Sequence, residues 1–186
     1  VSVEYVDFTL EKNIDSISDV EPDIIWIESP TNPMLKILDI ESISEVSKKI
    51  GSTLVVDNTF ASSFVQTPLQ LGADISLLSL TKYSNGHSDA LGGVVCCNDE
   101  RWGDKMVFAQ KALGLQPSPF DCWLIQRGLK TQAIRVERHS QNAKIIAEYL
   151  VERFSEAKIL YPFLESHPQY EIAKKQMRLG SGIISV

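Results

Sequence analysis

The sequence is poor in several features that would assign a chain to particular classes of protein. It has three cysteines in 186 residues, too few and wrongly placed for a disulfide framework. Lysine and arginine number 18 against 24 aspartates and glutamates, and no basic block is present. The net charge of -6 and the lack of a basic cluster therefore give no indication of nucleic-acid binding. No apolar run approaches the roughly 20 residues that a membrane-spanning helix needs.

The cysteines and histidines do not form a recognisable metal or redox motif either. Cys96 and Cys97 are adjacent in a predicted strand, so their side chains point to opposite faces, and Cys122 lies on a predicted helix. We interpret all three as reduced, packed thiols of a cytoplasmic protein. No cysteine or histidine pair has the spacing of a zinc site, so we predict no metal. Residues 1–8 alternate like a strand and do not resemble a cleavable signal.

What is present is an ordinary globular composition in which strands and helices alternate at short intervals. The apolar fraction is 44% and the charged fraction 23%, both typical of globular domains. The pattern predicts strands and helical segments in turn, with strands at 1–8, 23–28, 53–57, 73–80 and 91–97, and helical segments at 9–18, 39–50 and 68–71. The apolar run at 23–28 is typical of a strand buried on both faces of a parallel sheet. This order predicts an α/β domain.

After residue 98 the pattern becomes mainly helical. The predicted elements are helices at 100–113, 118–127, 131–154 and 170–176, and short strands at 158–161 and 182–186. Gly128 is expected to separate two helices. The long helix is expected to bury an apolar stripe formed by Ile134, Ile145, Ile146 and Leu150. This tail looks like the start of a second, smaller α/β unit. Because the chain begins and ends in predicted strands, we expect it to be part of a longer polypeptide.

Polar clusters follow three of the predicted strands, at 28–32, 57–59 and 79–82. In open α/β sheets, ligands bind beyond the carboxyl ends of the strands. If the three strands are neighbours, one edge of the sheet gathers a carboxylate, an amide, two hydroxyls and a lysine. A lysine held there by a rigid strand, with hydroxyls beside it, can form a Schiff base with a carbonyl cofactor.

The needs of a pyridine aldehyde phosphate give each of these residues a candidate role. Lys82 would form the Schiff base, and Asp57 would pair with the protonated ring nitrogen so that the ring remains an electron sink. Asn32 would donate its amide to the ring oxygen. Ser79 and Thr81 would offer hydroxyls to the phosphate. Once substrate has displaced it, the lysine is free to move protons as general base and acid.

Each candidate residue also has a simpler interpretation that spacing alone leaves open. Lys82 can be a solvated surface charge, and Asp57 and Asn32 can be ordinary turn residues. Serine and threonine before a loop commonly bond to the local backbone. His87, in the same loop as the lysine, is more commonly a residue that orders the loop than a catalyst.

Several segments, in order along almost the whole chain, are similar to one known family. They are W-I-E-S-P-T-N-P at 26–33, V-V-D-N-T-F at 55–60, L-G-A-D-I at 71–75, S-L-T-K-Y-S-N-G-H-S-D at 79–89, P-S-P-F-D-C-W-L and R-G-L-K-T between 117 and 131, and S-H-P-Q-Y at 166–170. They resemble the pyridoxal-phosphate (PLP) enzymes that act on cysteine, homocysteine and methionine, cystathionine gamma-lyase and its relatives. The resemblance implies PLP as the cofactor.

The resemblance also implies a fold and a domain organisation. The expected fold is a three-layer α/β sandwich of the aspartate-aminotransferase type (fold type I), followed by a smaller α/β domain. Residues 1–130 would form part of the PLP-binding major domain without its N-terminal portion. Residues 131–186 would form the long connecting helix and the incomplete start of the C-terminal domain.

Carried over position by position, the family's site residues fall on the five candidates. The resemblance implies that Lys82 is the cofactor lysine and Asp57 the partner of the ring nitrogen. It implies that Ser79 and Thr81 are the hydroxyls on the phosphate side and that Asn32 contacts the ring oxygen. No metal ligand is implied.

Three segments resemble one group of family members in particular: D-N-T-F, K-Y-S-N-G-H-S-D and Q-K-A-L-G-L-Q-P-S-P-F-D. That group cleaves cystathionine to cysteine, 2-oxobutanoate and ammonia by α,γ-elimination, a transsulfuration step of cysteine biosynthesis. Members that catalyse β-elimination of cystathionine, its synthesis, or γ-elimination of methionine share nearly every motif and are alternatives. A truncated homologue that only binds partners is another.

The family resemblance further implies an assembly and some missing parts. Active sites would form between subunits of a dimer, and two dimers would make a homotetramer. The family's glycine-rich phosphate loop and ring-stacking tyrosine would precede residue 1, and the arginine that binds the substrate carboxylate would follow residue 186. We therefore expect the isolated 186 residues to show little or no lyase activity.

Overall fold

A four-stranded mixed sheet forms the centre of the computed structural model, which describes residues 2–186. The strands are β1 (Ile24–Glu28), β2 (Thr53–Asp57), β3 (Ile75–Ser79) and β4 (Gly93–Cys97). They lie in the order β1-β2-β3-β4, with β1, β2 and β3 parallel and β4 antiparallel to β3. The carboxyl ends of the three parallel strands therefore meet at one edge of the sheet.

Seven α-helices lie in the described part of the chain. They are α1 (Glu11–Ser16), α2 (Ile40–Ile50), α3 (Ser62–Val65), α4 (Glu100–Leu113), α5 (Pro119–Leu129), α6 (Gln132–Arg153) and α7 (Tyr170–Gln176), with 3-10 turns at Ile17–Asp19 and Pro68–Leu71. The predictions for α4 and α7 are confirmed to the residue. None of these helices is long and apolar enough to cross a membrane.

The helix α2 shows why the sequence folds as it does on one face of the sheet. Asp39 caps its start by accepting a hydrogen bond from the Ser42 N–H, and Gly51 ends it in a left-handed conformation with φ 75°. Its inward face packs on the sheet in the main hydrophobic core, whose members include Ile25, Ile27, Ile40, Ile43, Val46, Leu54 and Val56. The helix thereby covers one face of β1 and β2.

Two predictions near the start of the chain are wrong. Residues 2–8 form no strand, because no neighbouring strand pairs with them, and Val1 lies outside the described residues. β1 is not buried on both faces, because it is an edge strand that α2 covers on one side only. Its alternate residues Ile24 and Trp26 are 55% and 64% exposed.

The C-terminal third also departs from the prediction. Gly128 does not separate helices: it lies inside α5 and is buried. On α6, Ile134, Ile145 and Ile146 are exposed, so the predicted apolar stripe is wrong apart from the partly buried Leu150. The buried face of α6 carries mostly small residues, Gln132, Val136, Ser140, Ala143 and Ala147. The two predicted strands near the end meet only through one bridge between Leu160 and Ser185.

The C-terminal segment packs directly on the earlier part of the chain. One core cluster joins residues of the first part (Ile37, Ala61, Val65) to Val136 of α6, Ala173 of α7 and Met177, which directly follows α7. The three cysteines carry free thiols, but Cys96 is exposed, which corrects the expectation that all three are packed. Strand β4 is covered little enough to leave that side chain at the surface.

Candidate active site

The register of the sheet brings three polar strand ends together. Glu28, the last residue of β1, pairs with Asp57, the last residue of β2. Asp57 in turn lies opposite Leu77 of β3, two residues before Ser79. The predicted gathering of Asp57 and Ser79 at one sheet edge is therefore present, and the loop that carries Asn32 starts from the same edge after β1.

Thr59 links the ends of β2 and β3 and was assigned no role by the sequence analysis. Its backbone N–H donates a hydrogen bond to Asp57 Oδ1 at 2.9 Å, and its hydroxyl oxygen accepts one from the Ser79 N–H at 2.8 Å. The side chain is buried. The signal available in the sequence was a threonine two residues after an aspartate that ends a strand, a position where side chains commonly order a turn. The two bonds fix the Asp57 carboxylate relative to Ser79.

Lys82 lies in the turn that follows β3. Its N–H donates to the Ser79 carbonyl at 3.3 Å, and its own carbonyl accepts from the Gly86 N–H at 2.8 Å. The side chain is exposed, and within residues 2–186 it forms no ion pair. It lines an open cavity of about 750 Å³ together with Thr59, Thr81, Tyr83, Arg135 and His139. Lys82 and Thr81 therefore border a space large enough for a small ligand, which Asp57, Ser79 and Asn32 do not line.

The remaining predicted residues differ in how far their side chains are engaged. The Thr81 hydroxyl accepts a hydrogen bond from the Gly92 N–H at 3.1 Å and donates to the Gly92 carbonyl at 3.4 Å, the local backbone bonding that the simpler interpretation expects. The Ser79 side chain is half-buried, with no hydrogen bond to the described residues. Asn32 is exposed, and its backbone N–H donates to Glu28 Oε2 at 3.1 Å.

His87 orders its loop, in agreement with the simpler of its two interpretations. Its Nδ1 lies 2.7 Å from the Asn85 carbonyl oxygen. Asn85 itself is buried, donates from Nδ2 to Asp89 Oδ1 at 2.9 Å, and donates from its backbone to the Leu80 carbonyl at 2.9 Å. The loop after Lys82 is therefore held by its own side chains as well as by its neighbours.

A buried network of side-chain amides supports the strand ends from beneath. Asn58, next to Asp57, donates to the Ser62 and Gln66 carbonyls at 3.1 and 2.8 Å. Gln66 donates to Asn58 Oδ1 at 2.9 Å and accepts from Gln176 of α7 at 3.0 Å. Because Asn58 and Gln66 are buried and paired, they restrict the strand ends to one arrangement.

A family model described as Cys/Met metabolism PLP-dependent enzyme matches residues 1–186. The chain belongs to this family. It is 45% identical over 187 residues to the cystathionine beta-lyase of Coxiella burnetii, covering 100% of this chain and 48% of that protein. It is also 45% identical over 186 residues to the cystathionine gamma-lyase of Sus scrofa, covering 100% and 46%. The chain thus spans about half the length of the curated relatives it matches.

Solved structures of the family have the same fold. The apo form of CalE6, a methionine gamma lyase from Micromonospora echinospora, matches with a TM-score of 0.94 at 39% identity, over 99% of this chain and 50% of that one. Cystathionine gamma synthase from Xanthomonas oryzae pv. oryzae in complex with cystathionine matches with a TM-score of 0.93 at 39% identity, over 96% and 46%. The predictions of the fold type I α/β architecture and of a PLP-dependent family are confirmed.

The residues at the sheet edge fit the chemistry of PLP. An aldehyde needs an amine, which Lys82 presents to an open cavity without an ion pair in the described chain. A pyridine nitrogen needs an anionic partner, and the half-buried Asp57 carboxylate has one oxygen fixed by Thr59. A phosphate needs donors, which the Ser79 hydroxyl can supply. The donor set is therefore suited to this cofactor.

Proposed function

We propose that this chain supplies the lysine-bearing part of a PLP-dependent carbon–sulfur lyase of transsulfuration. The proposed reaction cleaves cystathionine to cysteine, 2-oxobutanoate and ammonia by α,γ-elimination. The observation that supports it most directly is the pair of Thr59 hydrogen bonds joining Asp57 to the strand end that leads into Lys82. This arrangement holds a carboxylate in a fixed relation to the strand end from which the turn with Lys82 starts.

In the proposed reaction, Lys82 moves protons and Asp57 provides a fixed negative charge. When bound, PLP supplies an electron sink for a carbanion at the alpha carbon of the substrate. The Nζ of Lys82 accepts and returns protons at the alpha and beta carbons, since an exposed amine on a short turn can reach both positions in succession. The Asp57 carboxylate stabilises positive charge on the ring nitrogen, and Ser79, Thr81 and Asn32 are proposed to orient the remaining cofactor oxygens.

Substitution of Asp57 by asparagine is expected to lower kcat/KM by roughly 10- to 100-fold, because a hydrogen bond to a charged group is worth about 1.5–3 kcal/mol. Asparagine keeps the Oδ1 acceptor for the Thr59 N–H, so the local fold should persist. Steady-state kinetics of the complete protein that contains this chain measures the effect. Asp23→Asn, an exposed carboxylate before β1, is the matched control and should leave the rate unchanged. Equal activity of the two variants would remove Asp57 from the proposed site.

Identification of the products decides the proposed substrate and elimination type. The complete protein is incubated with cystathionine, and cysteine plus 2-oxobutanoate are expected. Homocysteine plus pyruvate would instead assign β-elimination, which is the second candidate because the Coxiella burnetii cystathionine beta-lyase is as similar to this chain as the Sus scrofa gamma-lyase. Absence of both product pairs would contradict a lyase acting on cystathionine.

Three further proposals concern the whole protein. Residues 1–130 belong to the cofactor domain and residues 131–186 to the connecting helix and the start of a C-terminal domain. The start of α6 at Gln132 supports this division.

The complete protein is proposed to be a dimer of dimers. The exposed apolar side chains of α4 and α5, such as Phe108, Phe120 and Trp123, support this proposal, because other subunits would cover them. The cysteine usage supports a cytoplasmic location.

A further inference from the structure

Arg135, on the first turn of α6, makes an unusual set of hydrogen bonds. Its Nη1 donates to the Tyr83 carbonyl at 2.9 Å, and its Nη2 donates to the Ser84 carbonyl at 3.4 Å and the Gly128 carbonyl at 2.9 Å. Its Nε donates to Thr131 Oγ1 at 3.0 Å. Two of the three carbonyls belong to the residues directly after Lys82. The fork of donors therefore joins the turn at 82–86, here called the lysine turn, to the junction between α5 and α6.

The turn itself is shaped to receive this guanidinium. Gly86 has φ 74°, and a Cβ built on it would lie 1.9 Å from Arg135 Nη1. The side chain of Arg135 is half-buried, and burial lowers its pKa below the usual value for arginine. In the described part of the chain it has no carboxylate partner, so its charge is stabilised by neutral acceptors, the three peptide carbonyls and the Thr131 hydroxyl. An arginine placed this way contributes to the geometry of the backbone rather than to an ion pair.

Arg135 and Lys82 also line the same cavity. The guanidinium of Arg135 binds the carbonyl of Tyr83, and Tyr83 is the residue directly after Lys82. A shift of this backbone would move the lysine amine relative to anything bound in the cavity. Displacement of a reacting group by about 1 Å can cost roughly 100-fold in rate.

We propose that Arg135 is a positioning residue for Lys82. Its guanidinium ties the peptide carbonyls of Tyr83 and Ser84 to the end of α5, and this fixes the direction in which the Lys82 amine enters the cavity. The proposal rests on the proposed function of Lys82 as the cofactor lysine. In this role Arg135 acts through the backbone that carries Lys82.

The test uses the complete protein with Arg135→Met and Arg135→Lys, and Arg138→Met as the matched control. Arg138 lies on the same helix and is exposed. In cofactor-free protein, hydrogen exchange at the Asn85 and Gly86 amides should become roughly 10-fold faster in Arg135→Met, since the bonds that hold the turn are lost. Amides of β2 should keep their rates. Arg138→Met should behave as wild type throughout.

In the cofactor-loaded enzyme, Arg135→Met should lower kcat by roughly 100-fold with much less change in KM, the pattern of an interaction needed in the transition state. The pH at which the visible absorption of the bound cofactor changes should differ from that of wild type, because the environment of the Lys82 amine changes. Arg135→Lys should give a partial defect, since an ammonium cannot bind three carbonyls in a fork.

Two results would overturn the proposal. One is exchange and kinetics of Arg135→Met equal to those of Arg138→Met. If Arg135→Met does not fold, the second result comes from Arg135→Lys: a lowered kcat supports the proposal, and a wild-type kcat overturns it. Failure of the proposed function is distinct, because retention of full activity by Lys82→Ala would contradict that function whatever Arg135 does.

Discussion

Replacement of Lys82 by alanine is expected to abolish turnover of the complete protein and to remove the covalent link to its cofactor. The described chain places this amine in an open cavity beside the strand end that Thr59 joins to Asp57, and no acidic side chain of residues 2–186 pairs with it. Loss of a positioned proton-transfer group alone costs roughly 10²–10⁴-fold. Loss of the covalent attachment adds to this cost.

The measurement for Lys82 combines kinetics with the visible spectrum of the purified protein. The alanine variant should bind PLP only reversibly, so that gel filtration removes the visible absorption that wild type keeps. Lys111→Ala is the matched control, because Lys111 is an exposed lysine on α4 that does not line the cavity, and its removal should change neither property. Small primary amines added to the medium should restore part of the rate of Lys82→Ala, since they replace the missing proton carrier. Full activity without added amine would contradict the assignment.

The sequence was sufficient to predict the strand ends and the residue types gathered there, because both depend on local patterns. Asp57 and Ser79 end short apolar runs, and parallel strands place such ends at one edge. The Thr59 link was not predictable in the same way. It depends on the register between β2 and β3, which pairs Asp57 with Leu77, and register is a property of the folded sheet.

The buried face of α6 was mispredicted for a similar physical reason. The isoleucines of this helix suggested an apolar stripe, but the helix buries small residues instead. The ring of Tyr161 is buried against this face, and its single hydroxyl hydrogen is shared between the Ser140 carbonyl at 3.0 Å and the Ser181 carbonyl at 3.1 Å. A large ring close to a helix backbone requires small neighbours, and only the tertiary structure reveals such a requirement.

Gly128 was misread as a helix breaker, and its true position leads to the second large prediction. It lies within α5, where a Cβ would approach the Asn85 carbonyl oxygen to 2.1 Å and the Asn85 carbonyl carbon to 2.9 Å. Both are backbone atoms. Asn85 cannot easily move away, because its N–H is bonded to the Leu80 carbonyl and its own carbonyl oxygen lies 2.7 Å from His87 Nδ1. The glycine is required for close packing of α5 on the lysine turn.

Substitution of Gly128 by alanine is therefore expected to lower the free energy of unfolding by about 1–3 kcal/mol, the usual cost of overpacking. Gly103→Ala in α4 is the matched control, because a Cβ there meets no atom within 4 Å. In that helix alanine should raise the free energy of unfolding by about 0.5–1 kcal/mol. Chemical denaturation of the cofactor-free proteins should therefore give a lower free energy of unfolding than wild type for Gly128→Ala and a higher one for Gly103→Ala.

The activity of Gly128→Ala should fall as well, because the methyl group pushes the turn at Asn85 and with it the backbone that carries Lys82. A displacement of about 1 Å would reduce kcat by roughly 100-fold, whereas Gly103→Ala should keep the wild-type rate. Denaturation measures the loss of stability, and kcat, calculated per folded and cofactor-loaded enzyme, measures the displacement of Lys82. Alanine at position 128 with wild-type stability and rate would show that α5 and the lysine turn are not in this close contact.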